Sequence, residues 1–438
     1  MKFLDLIVYF IFLYPCYMSF VWMLGGLIFS IRREGQQSVK LDTHPFFSII
    51  VPAYNEESII DLTINNLSDL DYPNYEVIVV NDGSTDNTKE ILDKLVANNL
   101  TWLKVVHLEQ NKGKAVALNI GILLSKGHFL ITIDADCMLD KGAINWFAWH
   151  FLSYPRVGAV TGNPRVWNRT SLLGKIQAGE YSSIIGLIKR TQRIVGKILT
   201  VSGVIAAYRK SAILNCGLFD SDTVTEDIDI TWKLQEQFWD VRYEPRALCR
   251  ILVPETLKGL WRQRLRWAQG GLEVLVKHAG IWKKVEYRRF WPIYIEYVMG
   301  ALWALSLVGV VVVWAILSLA EYACSFPSLM PYCAPVYAFK QAFPIFLDPL
   351  YPKWYGTVLC LTCLLEFLVS FVIDRKYEKG IMKYYFWVVW YPLVYWIIIA
   401  ITTIKAIYNV LIKKTRSATW MSPDRGLHTL KSSTKKVS

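Results

Sequence analysis

At 438 residues the chain has room for one large soluble domain and several membrane spans. Apolar residues make up 53% and charged residues 19%, and the 18 Trp, 24 Tyr and 20 Phe suit a bilayer interface. The net charge of +12 comes with no zinc-finger, recognition-helix or RNA-stacking signature, and its basic residues cluster beside apolar runs, so no nucleic-acid partner is expected.

Met1 to Ile31 carries only Lys2 and Asp5 as charges. The stretch is too long for a signal-peptide core, and no small-residue cleavage site follows it. Since about 20 apolar residues span a bilayer, Phe3–Ile31 reads as a retained span. Arg32 and Arg33 place its downstream end in the cytoplasm and the N-terminus outside. From about His44, short β-branched runs alternate with helical stretches. Strands are expected at Phe47–Val51, Glu76–Asn81, Leu103–His107, His128–Asp134 and Val157–Thr161. Helices fall between them, near Ser58–Leu70, Thr88–Ala97, Lys114–Ser125 and Lys141–Leu152. Such alternation implies a parallel sheet with helices on its faces, and ligands bind at the carboxyl ends of its strands.

Ser171–Thr200 and Leu257–His278 are amphipathic and basic. They read either as helices in the membrane surface or as surface helices covering the sheet. Later spans are expected at Trp291–Leu319, Tyr355–Ile373 and about Met382–Ile412, the last being one kinked span at Pro392 or a tight pair. Glu296 and Glu366 lie in or near these spans, where they either line a passage or pair structurally. None of the eight cysteines has zinc spacing. Cys360 and Cys363 read as helical packing. Cys324 and Cys333 fall in a loop expected outside the cytoplasm, where a disulfide is chemically allowed.

Four motifs carry candidate chemistry. The second strand runs into Asn81-Asp82-Gly83-Ser84, where a carboxylate before a glycine turn can accept hydrogen bonds from a base or ribose. Asp-Gly is also a plain turn signal. The fourth strand ends in Ile133-Asp134-Ala135-Asp136, whose two carboxylates repel unless a cation intervenes. A divalent ion shared with substrate phosphates resolves that conflict; two solvated turn aspartates are the alternative. Thr225-Glu226-Asp227 offers a carboxylate able to take a proton from an attacking hydroxyl, or a helix cap. Gln263-Arg264-Leu265-Arg266-Trp267 joins a phosphate-binding guanidinium to a flat face for a sugar ring, although a basic membrane helix also favours Arg and Trp.

In this order the motifs resemble the processive family-2 glycosyltransferases, the group of cellulose, chitin and hyaluronan synthases. The resemblance covers nearly the whole chain and implies an α/β, Rossmann-like GT-A domain between transmembrane segments. It places Asp82 and the segment Val51-Pro52-Ala53-Tyr54-Asn55-Glu56, with Glu56, at the nucleoside. Lys114, in Asn111-Lys112-Gly113-Lys114-Ala115, would face the diphosphate with Gln263 and Arg266. Asp134 and Asp136 would handle the nucleotide and an Mg²⁺ or Mn²⁺ ion, Asp136 as the direct ligand. Asp227, with Glu226 beside it, matches the general base; Trp267 matches the acceptor platform, and Ser202-Gly203 a loop beneath the acceptor sugar.

A closer resemblance is to the bacterial poly-β-1,6-N-acetylglucosamine synthases. It is carried by Gly158-Ala159-Val160-Thr161-Gly162-Asn163-Pro164-Arg165, Gly179-Glu180-Tyr181-Ser182-Ser183, Val253-Pro254-Glu255-Thr256-Leu257, Trp267-Ala268-Gln269-Gly270-Gly271 and Ser422-Pro423-Asp424-Arg425-Gly426. It implies UDP-N-acetylglucosamine and a growing glycan as substrates, a biofilm polymer as product, and a cytoplasmic catalytic domain at the bacterial inner membrane. It also implies help with export and a small membrane partner subunit. The competing readings are another processive β-glycan synthase, a lipid-linked single-sugar transferase, and a transporter or scaffold carrying a nucleotide-binding domain. The resulting division is a membrane helix at 1–33, a catalytic domain with interface helices at 44–285, a membrane region at 290–415 and a basic tail at 416–438.

Overall fold

A computed structural model describes residues 3–35, 39–98, 100–326, 328, 330–342 and 354–413. The basic tail, with Ser422-Pro423-Asp424-Arg425-Gly426, lies outside the described residues. Among the described residues eight strands form one sheet: β1 Phe47–Ala53, β2 Tyr75–Asn81, β3 Leu103–His107, β4 Phe129–Ile133, β5 Met138–Leu139, β6 Val157–Val166, β7 Ile205–Arg209 and β8 Asp240–Ile251. Their order is β3-β2-β1-β4-β7-β6-β8-β5.

The first half matches the expectation of a parallel sheet. β1 lies between β2 and β4, and β3 extends β2, all parallel. Every residue of β1 is buried, as befits a central strand covered on both faces. The second half departs from it, because β7 runs antiparallel to both β4 and β6. The connection 167–204 stays on the carboxyl side of β4, where Ile205 pairs with Ile133, so the chain must re-enter the sheet in the opposite sense. β8, beside β6 and parallel to it, was not anticipated from the sequence. Its interior carries Arg242, Glu244, Arg246 and Arg250, which disguise the strand pattern.

The amphipathic stretches lie between the sheet and the apolar helices. Leu172–Glu180 and Ile188–Val195 are α-helical, and Tyr181–Leu187 between them is a π-helix. The run packs on both the first apolar helix and Trp354–Asp374. The second stretch, Leu257–Lys277, packs along Trp396–Ile407. Among the described residues three helices are long and apolar enough to cross a membrane: Leu6–Arg33, Trp291–Ala323 and Gly356–Asp374. The fourth apolar stretch is helical throughout but changes pitch, from 3₁₀ at Ile381–Trp390 to π at Tyr391–Tyr395 and α at Trp396–Ile407. Pro392 lacks the N–H a regular helix needs there. Both ends of this run touch interface helices: Lys175 lies over the Trp387 ring at 4.3 Å, and Asn409 donates to Gln269 at 3.4 Å.

Charges close the junction between the two parts. Arg190 reaches Glu34 at 2.6 Å and Asp374 at 2.8 Å, and Arg165 meets Asp374 at 2.7 Å. Arg190, Glu34 and Asp374 are buried. Ser182 donates to Asp374, while Lys376 also pairs with Glu34. Both acids flagged in the apolar stretches have protein partners. Glu366 accepts from Ser19 and Ser183, each at 2.6 Å, and Glu296 from the Trp22 indole at 3.1 Å. These bonds favour structural pairing over the passage reading. A disulfide joins Cys324 and Cys333, whereas Cys360 and Cys363 are free.

Candidate active site

β1, β2 and β4 are neighbours in the sheet, and Glu56, Asp82 and Asp134 follow their carboxyl ends. Asp82 follows β2 and is fully buried. Its two carboxylate oxygens accept from the Lys112 and Gly113 amides, both at 2.8 Å. Gly83 next to it has φ +65°, and a Cβ there would lie 2.5 Å from the Gln110 carbonyl carbon, so only glycine fits the turn. Asp82 therefore holds the 111–113 loop that starts helix Lys114–Leu124. Glu56, after β1, is also buried, and its amide donates to Thr88 at 2.8 Å.

Lys114 begins that helix and is the cation at the centre of the acidic residues. Its ammonium lies 2.6 Å from Asp134 and 3.1 Å from Glu226, and 3.5 Å from the Gly203 carbonyl oxygen. Burial opposes its charge, but Asp134 and Glu226 outweigh burial and hold its pKa above the ordinary lysine range. Asp134 is partly exposed at the strand end, whereas Asp136 is buried. Among the described residues no group of three or more His, Cys, Asp or Glu forms a metal cage. Two hard carboxylates at one strand end fit instead a divalent ion that completes its shell with substrate phosphates.

Glu226 and Asp227 open helix Glu226–Glu236. Asp227 accepts from the Gly203 amide at 3.0 Å, so the 202–203 loop and the acidic motif are directly joined. Its carboxyl is pushed up to about 6, first by burial and then by Glu226, with Lys114 and Arg266 pulling the other way. A carboxylate in that range is ionised at neutral pH yet basic enough to take a proton. A Cβ on Gly203 would come within 2.9 Å of the Asp227 carboxylate.

Helix Leu257–Lys277 carries the last motif. Arg266 is exposed, and Gln263 is half-buried with a side-chain oxygen that has no hydrogen-bond partner among the described residues. Trp267 is half-buried beneath the Arg264 guanidinium, 4.3 Å from the ring centre.

Four residues escaped the sequence reading as parts of the site. Arg264 is buried and paired with Glu180 at 2.6 Å, which ties the tryptophan-bearing helix to the π-helical run. Lys189 donates to the Thr161 hydroxyl at 3.2 Å, and Thr161 accepts from the Ser202 amide at 2.8 Å. Burial lowers the Lys189 pKa to about 8. The signals were the presence of Glu180 and Thr161 inside stretches shared with the synthase subfamily and of Arg264 inside the fourth motif, where no role was assigned to it; Lys189 reads only as part of a basic amphipathic stretch.

A mixed sheet with a DxD turn, an acidic helix start and a basic aromatic helix above its strand ends is the layout of a GT-A glycosyltransferase. Residues 44–270 match the family described as "Glycosyltransferase like family 2", and the chain belongs to that family and is a glycosyltransferase. It is similar to the poly-β-1,6-N-acetyl-D-glucosamine synthase of Staphylococcus epidermidis, with 37% identity over 427 residues, 95% of this chain and 98% of the relative. The synthase of the same description from Staphylococcus aureus strain COL is 39% identical with the same coverage. Among solved structures, a mannosyltransferase from Pyrobaculum calidifontis, in complex with GDP-Man and Mn²⁺, superposes with a TM-score of 0.56. At 22% identity over 84% of this chain and 99% of that one, it shows the shared fold.

Proposed function

We propose that this chain polymerises N-acetylglucosamine from UDP-N-acetylglucosamine into β-1,6-linked poly-N-acetylglucosamine, a biofilm polysaccharide, at the cytoplasmic face of a bacterial membrane. The observation that carries the reading is the likeness to named synthases across nearly the whole of both chains, and it is supported by the contacts that bring Asp82, Asp134 and Glu226 to Lys114 and the loop before it.

In this reading the uridine lies by Glu56 and the loop held by Asp82. Arg266 and Gln263 reach the diphosphate from above, and Trp267 offers its face to the acceptor sugar. Asp134 and Asp136 would hold a Mg²⁺ or Mn²⁺ ion, which when bound neutralises charge on the diphosphate leaving group. Asp227 accepts the proton of the acceptor 6-hydroxyl while that oxygen bonds to the anomeric carbon and the bond to UDP breaks. One displacement inverts the α-linked donor to a β-linked product. Lys114 exchanges its present partners, Asp134 and Glu226, for the donor phosphates.

The run 381–412 would enter the membrane and turn back at Pro392, because both its ends touch interface helices of the catalytic side. That leaves the basic tail cytoplasmic, in keeping with the positive-inside tendency. Export of the polymer beside these helices and a small membrane partner subunit belong to the same proposal.

The test is synthesis by the purified chain in lipid vesicles, with UDP-N-acetylglucosamine and UDP-glucose offered separately and a divalent ion present. Polymer from the amino sugar alone, cut by a β-1,6-specific hexosaminidase and resistant to chitinase, is the expected result. Chitinase-sensitive product, or polymer from UDP-glucose, overturns the donor and linkage while keeping the family.

A further inference from the structure

A cavity of about 240 Å³ lies where the end of the first apolar helix meets the catalytic domain, and none of the candidate catalytic residues lines it. Five guanidiniums do: Arg32 and Arg33 from the helix end, Arg193 from Ile188–Val195, and Arg242 and Arg246 from β8. Acidic partners are fewer. Asp240 takes both Arg193, at 3.0 Å, and Arg242, at 2.7 Å. Glu244 takes Arg246 at 2.6 Å and the His150 ring at 2.9 Å. Burial lowers the His150 pKa, so that ring adds no charge at neutral pH. Glu34, the acid next to Arg33 in sequence, is already engaged by Arg190 and Lys376. Among the described residues five guanidiniums face two carboxylates, which leaves three positive charges around one cavity, with Arg32 and Arg33 exposed at its rim and Arg193, Arg242 and Arg246 partly buried.

That excess is costly where like charges meet in a partly desolvated place. Arg193 registers it: burial first, then Arg242 and Arg33, hold its pKa below the ordinary arginine value despite Asp240. Topology accounts for basic residues at the end of a span, such as Arg32 and Arg33. It does not account for Arg193, Arg242 and Arg246, which the folded domain delivers to the same cavity. Arg242 is moreover braced flat against the Tyr154 ring at 3.6 Å, so its fork is pre-oriented.

We propose that this cavity binds a phosphate group, held by the guanidiniums of Arg33, Arg193 and Arg242. Guanidiniums grip phosphate oxygens in bidentate pairs, and an anion here would relieve the unbalanced charge. Two sources offer that chemistry: the headgroup of an anionic phospholipid, present at the depth where a span ends, and a soluble phosphate.

The test uses the full chain, purified in detergent and free of donor sugar, with R193Q and R242Q beside the wild type and R193K and R242K as charge-keeping controls. Native mass spectrometry reads retained phosphatidylglycerol against phosphatidylcholine, and titration calorimetry reads inorganic phosphate. Retention of phosphatidylglycerol that falls about tenfold in each Gln variant, as expected for losing one charge-assisted contact, assigns the site to lipid. Phosphate binding that falls likewise, with no selective lipid retention, assigns it to a soluble anion. Lipid and phosphate binding that are unaltered in both Gln variants, or absent from the wild type, overturn the proposal. Unchanged melting temperatures in the Gln variants, with binding kept in the Lys variants, separate loss of charge from loss of fold.

Discussion

The strand-end site and the membrane junction both bury charge, but they balance it differently. At the junction Arg190 and Arg165 meet Glu34 and Asp374 in short pairs that leave the acids fully engaged. At the strand ends Asp134 and Glu226 share one partly buried cation, Lys114, and the neighbouring Asp227 carboxyl is raised first by its burial and then by Glu226. Closed pairs hold two parts of a chain together. An acidic excess fits a site whose counter-charge is a divalent ion shared with the substrate phosphates.

Removing the base should break the contrast most sharply. D227N should lower polymer formation by about 10² to 10⁴-fold while leaving UDP-sugar binding within a few-fold, read by initial rates and by donor titration. Near-normal turnover would sink the base assignment. At the junction, R190M should act on stability and not on chemistry. It leaves Glu34 and Asp374 without Arg190, at a cost of roughly 3–5 kcal/mol, read as a lower melting temperature and poor recovery from the membrane. A well-folded R190M would mean the network contributes little.

Two finer changes sharpen the comparison. G203A places a methyl against the Asp227 carboxylate, so kcat should fall about tenfold to a hundredfold with the melting temperature unchanged. Equal kcat would show that the loop yields freely. The pH profile should move least. The proposed base, Asp227, takes a proton only when ionised, so the rate should fall as pH drops through about 6. Because Glu226 helps raise that value, E226Q should carry the acid limb to lower pH. A limb that stays in place, or rises, contradicts the coupling between them.

Much of the site was legible because it rests on local signals. Asp82, Asp134, Asp136 and Asp227 stand at strand ends or a helix start, where periodicity and turn residues locate them without knowledge of the fold. What each touches was less legible. Lys114, read as facing a diphosphate, is in this structure the partner of Asp134 and Glu226, which lie far apart in sequence. Asp82, read as a nucleoside contact, spends both carboxylate oxygens on the backbone of the 111–113 loop. The buried pairing of Arg264, and any role for Lys189, were not legible because a buried basic residue and an exposed one look alike in sequence until a partner, here Glu180 or Thr161, is brought across.

The amino-acid sequence by itself determined the alternation of strands and helices from β1 to β6, except the two-residue β5, three of the apolar helices, and the motif order that marks a family-2 glycosyltransferase. These follow from short-range patterning: side-chain period, turn chemistry and run length. Only the tertiary structure decided that β7 runs antiparallel, that the basic helix 188–195 is buried against the first apolar helix, and that five arginines from three segments meet at one cavity. Such features depend on which distant segments pack together. Packing energy is shared among many contacts, so no single stretch of sequence announces it.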